Sequence, residues 1–118
     1  MFCEVIVRSQ DDCDYRSFLL PLQVVDAEEW NVAHEENRHG YVLSMMYDCI
    51  GEFKEKKHAL HVMNYLLAKR NYYMYDAPEK FKSVILNVPT DEVVRQTPDE
   101  NLFDGFPIEE KEETETDD

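Results

Sequence analysis

The side chains in this chain that can do chemistry are few and poorly grouped. His58 and His61 stand three apart with Glu55 close by, and His34 and His39 stand five apart beside Glu35 and Glu36. Zinc takes four ligands at the corners of a tetrahedron, and structural sites draw them from clustered thiolates. The chain has no H-E-x-x-H run and no C-x-x-C pair, so we expect no metal and no cofactor. A cysteine nucleophile needs a base and a group that orients the base. Cys49 adjoins Ile50 on an apolar stripe, where inert core cysteines reside. Cys13 lies in the run DDCD, whose carboxylates oppose thiolate formation. There is no glycine-rich phosphate loop and no G-x-S-x-G. Carboxylates are so abundant that pairing any two is uninformative. We expect no catalytic residues and no enzyme.

A second group is cationic and aromatic. Residues 56–75, KKHALHVMNYLLAKRNYYMY, carry four Lys or Arg, two His and four Tyr in a chain of net charge −14. On a helical wheel His58, His61, Tyr65, Lys69 and Tyr72 fall within an arc of about 80°, and Lys54 joins them if the helix reaches back to it. Cations for phosphates and rings for bases are what single-stranded nucleic acid requires, so this is a candidate nucleic-acid strip. The plainer reading has more weight. Amphipathic helices carry such residues along their borders, with the stems packed and the charges in water.

The third group is acidic. Asp26, Glu28, Glu29, Glu35 and Glu36 crowd one short segment, and Glu4, Asp11, Asp12 and Asp14 precede it. Residues 1–40 hold nine acidic and three basic side chains, 41–85 five and seven, and 86–118 twelve and two. Most of such a surface repels phosphate, which argues against tight duplex binding and favours a basic partner. Carboxylates spaced along a rigid surface can also stand in for the phosphates of DNA. In size and charge the chain resembles the small acidic inhibitors that mimic DNA, many of them from bacteriophages. The resemblance is one of composition, with no shared motif. Near the end, NLFDGFPI (101–108) places Leu102, Phe103, Phe106 and Ile108 in acidic surroundings. These either fold back on the core or serve as an apolar anchor that docks on a partner.

The elements that must hold these groups are read from pattern and punctuation. FCEVIVRS (2–9) alternates and is β-branched, and YRSFLLPLQVV (15–25) is a second strand interrupted by Pro21; together they predict a hairpin. Residues 26–40 predict a helix capped by Asp26, with Glu28 and Glu29 in its first turn and Gly40 closing it. Residues 41–75 lack proline and read as helical throughout. Val42, Met46, Cys49, Ile50 and Phe53 form one apolar stripe, and Ala59, Val62, Met63, Leu66 and Leu67 a second with a different phase. One long helix and two helices broken near 54–57 are both open. Residues 82–88 predict a further strand, and the final EEKEETETDD (109–118) a disordered tail.

At 118 residues, with 43% hydrophobic content, the chain is expected to form an α+β domain over 1–90. A small antiparallel sheet, the N-terminal hairpin plus one later strand, would pack against two or three helices. An acidic extension would follow over 91–118. Three cysteines, no signal-like start and no long apolar run suggest a cytoplasmic protein without a membrane partner. The favoured function is that of a non-catalytic acidic binding protein that modulates or inhibits a basic, nucleic-acid-handling partner. The alternatives are a single-stranded nucleic-acid-binding accessory protein restrained by its acidic tail, and a structural subunit of a larger assembly.

Overall fold

Pro21 divides the apolar run 15–25 between two sheets. In a computed structural model, which describes residues 3–16, 18, 20–77, 80–97, 106 and 108–112, β1 (Glu4–Arg8) pairs antiparallel with the two-residue β2 (Asp14–Tyr15). Beyond Pro21 the chain enters β3 (Leu22–Asp26), which belongs to another sheet. The predicted hairpin is therefore real but short, and its second half has been given away.

Helix α1 (Ala27–His34) begins where expected, with the Asp26 carboxylate accepting the Glu28 amide at 2.9 Å. It ends earlier than expected. Glu35 takes the left-handed conformation (φ 55°) and its amide bonds to the Asn31 carbonyl. The Asn31 side chain then brackets Arg38, accepting its amide at 2.7 Å and donating to its carbonyl at 2.9 Å. Gly40 closes nothing in α1. It sits at φ 76°, where a Cβ would lie 2.3 Å from the Phe53 carbonyl oxygen, and its own carbonyl accepts the Ala27 amide.

The main correction concerns residues 41–53, which are not helical. They form a hairpin, β4 (Tyr41–Met45) and β5 (Asp48–Phe53), turning on Met46 and Tyr47. β4 is the middle strand of the sheet β3-β4-β5, and Val42, Leu43, Ser44 and Met45 are all buried. A strand covered on both faces loses its period of two. What remained in the sequence was an accidental helical spacing and no turn residue.

The long helix is α2 (Lys56–Asn71), which runs into a π-helical turn, Tyr72–Asp76. It lies across β3, β4 and β5. β6 (Phe81–Asn87) matches the strand expected over 82–88, but it pairs parallel with β1, so the sheet β2-β1-β6-β7 is mixed rather than antiparallel. Residues beyond 90 are not merely an extension. α3 (Asp91–Gln96) is capped by Thr90 and buries Val94, and β7 (Ile108–Glu112) pairs antiparallel with β6. Residues 109–112, expected in a disordered tail, are thus strand; residues 113–118 lie outside the described set.

The described chain is an α+β fold of seven strands in two sheets with three helices. Val5, Val7, Val84 and Leu86 of one sheet meet Leu43, Met45, Ile50 and Phe53 of the other through Ala59, Val62, Tyr65 and Leu66 of α2, in one continuous core. Gln10 links the sheets at their rim. Its side chain accepts the Glu52 amide at 2.8 Å and donates to the Pro89 carbonyl at 2.8 Å, while its amide donates to Ile50 at 3.0 Å.

Candidate functional site

The cationic strip does not survive folding. Tyr65 is fully buried and His58 is 7% exposed, so neither ring can receive a base. The core face of α2 runs through His58, Ala59, Val62, Tyr65 and Leu66, so the supposed border residues His58 and Tyr65 lie inside it. Tyr65 suits the core because its ring meets that of Phe106 edge-on, with centroids 4.9 Å apart, and its hydroxyl reaches the Phe106 carbonyl. His61 and Lys69 are half-buried, and Tyr72 is exposed at the far end. Lys54 precedes α2, with its amide bound to Asp91 at 3.0 Å. The six residues do not share a surface.

The apolar anchor expected over 101–108 is also displaced. Phe106 is 4% exposed and belongs to the core, and Ile108 packs against that core from the start of β7. Leu102 and Phe103 lie outside the described residues. For the two aromatic and aliphatic groups that are described, folding back is the outcome.

The acidic segment remains on the surface, in two electrostatic classes. Glu36 is spent internally: its carboxylate accepts the Arg38 guanidinium at 2.7 Å and the Trp30 indole N–H at 3.1 Å. Those two hydrogen bonds, the Arg38 one foremost, hold its pKa below the ordinary carboxylate value. Asp26 is occupied as the helix cap. Glu28, Glu29 and Glu35 are exposed, and their carboxylates have no hydrogen bond or ion pair among the described residues. Ala27 and Trp30 anchor the helix beneath them, at 3% and 5% exposure. Trp30 also stacks on His34, with ring centroids 3.7 Å apart. Two carboxylates on a short helix and a third at its C-terminal cap are therefore without a partner among the described residues.

The β1–β2 turn carries a second acidic group. Asp11, Asp12 and Asp14 are exposed. Asp14 is held by Arg8 through two contacts, at 2.7 and 3.2 Å, which lowers its pKa, and Arg8 also reaches Glu109 of β7 at 2.7 Å. Asp11 and Asp12 have no ion-pair partner among the described residues.

No arrangement of an acid, a base and a nucleophile is found among these groups. Burial pushes the half-buried Cys49 thiol up, only partly offset by Arg38, so thiolate is disfavoured there. Among the described residues no three His, Cys, Asp or Glu side chains gather closely enough to hold a metal ion. A hollow of about 320 Å³ beside α1 is lined by Asp26, Glu28, Arg38, His39 and Tyr41, but its one guanidinium is already bonded to Glu36.

No known protein family matches the chain, and no curated protein or solved structure matches it. Function must therefore be argued from these surfaces alone. No described helix is long and apolar enough to cross a membrane.

The sequence marks the acidic segment but does not separate its members by their pairing. The signal for Glu36 was the spacing Trp30, Glu36, Arg38, which becomes a bonded trio only when the chain turns back at Glu35. The fully exposed apolar groups were missed altogether. Val32 is 84% exposed and Tyr47 79%.

Proposed function

We propose that this chain is a non-catalytic acidic binding protein that modulates or inhibits a basic partner, one that handles nucleic acid being the best match in charge. The observation that supports this reading is the trio Glu28, Glu29 and Glu35, exposed and unpaired among the described residues, on and at the end of a helix pinned by Trp30. Carboxylates with no internal partner present their charge without first breaking a bond. Their fixed backbone limits the ordering cost of association. Lys and Arg side chains that normally grip phosphates would meet them in the manner of a DNA mimic. Val32 follows Glu28 and Glu29 by one helical turn and adds an apolar contact between the charges.

The test is affinity capture on the immobilised full chain at low and moderate salt, compared with an E28Q/E29Q/E35Q variant. Wild-type protein should retain a basic, nucleic-acid-handling protein that salt releases, and the variant should retain less of it with a flatter salt dependence. Glu36 is left unchanged because its loss would loosen the α1–β4 loop itself. Equal capture by both chains would remove α1 from the mechanism.

A further inference from the structure

The β4–β5 turn is built from unusual residues for its geometry. Met45 pairs with Asp48, leaving Met46 and Tyr47 as the two turn residues. Met46 takes φ 58°, a left-handed conformation for which Gly, Asn or Asp is the ordinary choice. A methionine there is tolerated only at a cost in stability. It is followed by a tyrosine that is 79% exposed. The corner facing this turn is apolar too. Leu22 pairs with Met45, and the Met46 amide donates to the Pro21 carbonyl at 3.2 Å, which sets the Leu20–Pro21 segment beside the turn. Leu20 is 48% exposed and Met46 is 38% exposed. Three exposed large apolar side chains thus stand at one end of the β3-β4-β5 sheet, the end opposite α1.

The β5 side of this corner is acidic, while before Leu20 the Arg70 guanidinium lies over the Phe18 ring, 5.5 Å from its centroid. Asp48 follows Tyr47 directly and is exposed. The bond from the Gln10 amide to the Ile50 carbonyl brings the Asp11–Asp14 turn alongside β5. Burial first, and then the nearby Asp48 carboxylate, push the Tyr15 hydroxyl pKa up, with Asp11 adding a smaller effect in the same direction. Arg16, the cation of this stretch, is paired with Glu4 at 3.0 Å.

We propose that Met46, Tyr47 and Leu20 form an apolar anchor that inserts into a hydrophobic hollow fringed by Lys and Arg on a protein partner. Charge complementarity selects that occupant. A second copy of this chain, with net charge −14, would bring carboxylates against carboxylates. A cationic rim instead satisfies Asp48 and Asp11 while the hollow removes the tyrosine ring from water. The anchor rests on the reading of the chain as a binder of basic proteins, and supplies the apolar contact that the buried Phe106 cannot.

The test uses the full chain with labelled methionine methyls and two defined probes, a peptide of repeated Lys-Lys-Leu units and oligolysine of equal length. The Lys-Lys-Leu peptide should shift the Met46 methyl and the Tyr47 ring resonances while the buried Met45 methyl stays in place. Tyr47→Ser and Met46→Gly should each weaken its binding by about tenfold. Met46→Gly should at the same time raise the unfolding midpoint, because glycine relieves the left-handed turn. A purely structural turn would not lose binding as it gained stability. If both probes bind and leave Met46 and Tyr47 unmoved, the anchor is overturned while the acidic reading stands. If neither probe binds, both fail. Concentration-dependent shifts at Met46 without peptide would assign the corner to self-association, and would equally overturn the proposal.

Discussion

The Tyr65 hydroxyl of α2 lies 3.5 Å from the Phe106 carbonyl oxygen, and the two rings meet edge-to-face at an interplanar angle of 86°. One contact thus joins the centre of the long helix to the segment leading into the last strand, 41 residues later. Its two halves should differ in weight. Phe106→Ala removes a buried ring and should cost about 3–5 kcal/mol. Tyr65→Phe keeps the ring and removes the hydroxyl that reaches the Phe106 carbonyl, so a smaller loss of about 1 kcal/mol is expected. Urea unfolding of both variants checks the ratio, and equal losses would mean that the hydroxyl rather than the aromatic pair holds this segment.

Gln10 should matter out of proportion to its size. Truncation to Ala would leave the Glu52 amide and the Pro89 carbonyl without their side-chain partner at the rim between the sheets. A loss of about 2–3 kcal/mol is expected, since two backbone groups are stranded together. Gln10→Glu keeps the acceptor for the Glu52 amide but turns a carboxylate toward the Pro89 carbonyl, and should rescue little. Thermal melts of the two variants decide this, and full rescue by Glu would show that only the Glu52 bond counts.

Gly40→Ala should be among the most damaging single changes. The backbone at φ 76° disfavours any side chain, and the added methyl would sit 2.3 Å from the Phe53 carbonyl oxygen, a backbone atom that cannot swing aside. The left-handed conformation alone costs about 1–2 kcal/mol, and the clash adds to it. Failure of the variant to accumulate as folded protein, or a large drop in its unfolding midpoint, is the expected result. A wild-type midpoint would refute it.

Acid should weaken the fold through two arginine-held carboxylates. Arg38 holds the Glu36 pKa, and Arg8 the Asp14 pKa, below ordinary carboxylate values. Such a group adds stability above its unfolded pKa, and that stability is lost as pH falls through its folded pKa. Wild-type stability should therefore decline below about pH 4. Relief of the overall negative charge acts the other way at higher pH, and acts on every variant alike. Arg38→Met should accordingly flatten the acid limb of the curve, read by urea midpoints across the range. An unchanged slope would mean that the Arg38–Glu36 pair does not differ between the folded and unfolded chain.

Local structure was legible wherever the cause was local. The Asp26 cap and the acidic first turn mark the start of α1, because capping depends only on neighbouring amides. Val84 and Leu86 lie in an apolar β-rich run that reads correctly as a strand. Pro21 announces the interruption that separates β2 from β3. Residues 41–53 were misread because β4 is covered on both faces and its turn uses Met46 and Tyr47, so neither alternation nor turn chemistry reveals a hairpin.

By itself, the sequence determined a mixed α+β chain, a helical stripe through Ala59, Val62, Met63, Leu66 and Leu67, and the start of an acidic helix at the Asp26 cap. These follow from periodicity and from bonds between residues a few places apart. Only the tertiary structure decided that β1 and β6 run parallel, that Tyr65 and His58 are core, that Phe106 folds inward, and that Glu36 is paired with Arg38 while Glu28, Glu29 and Glu35 have no partner among the described residues. The physical reason is the same in each case. Burial and pairing depend on partners far along the chain, and a side chain's charge or ring becomes available to another molecule only when no such partner claims it.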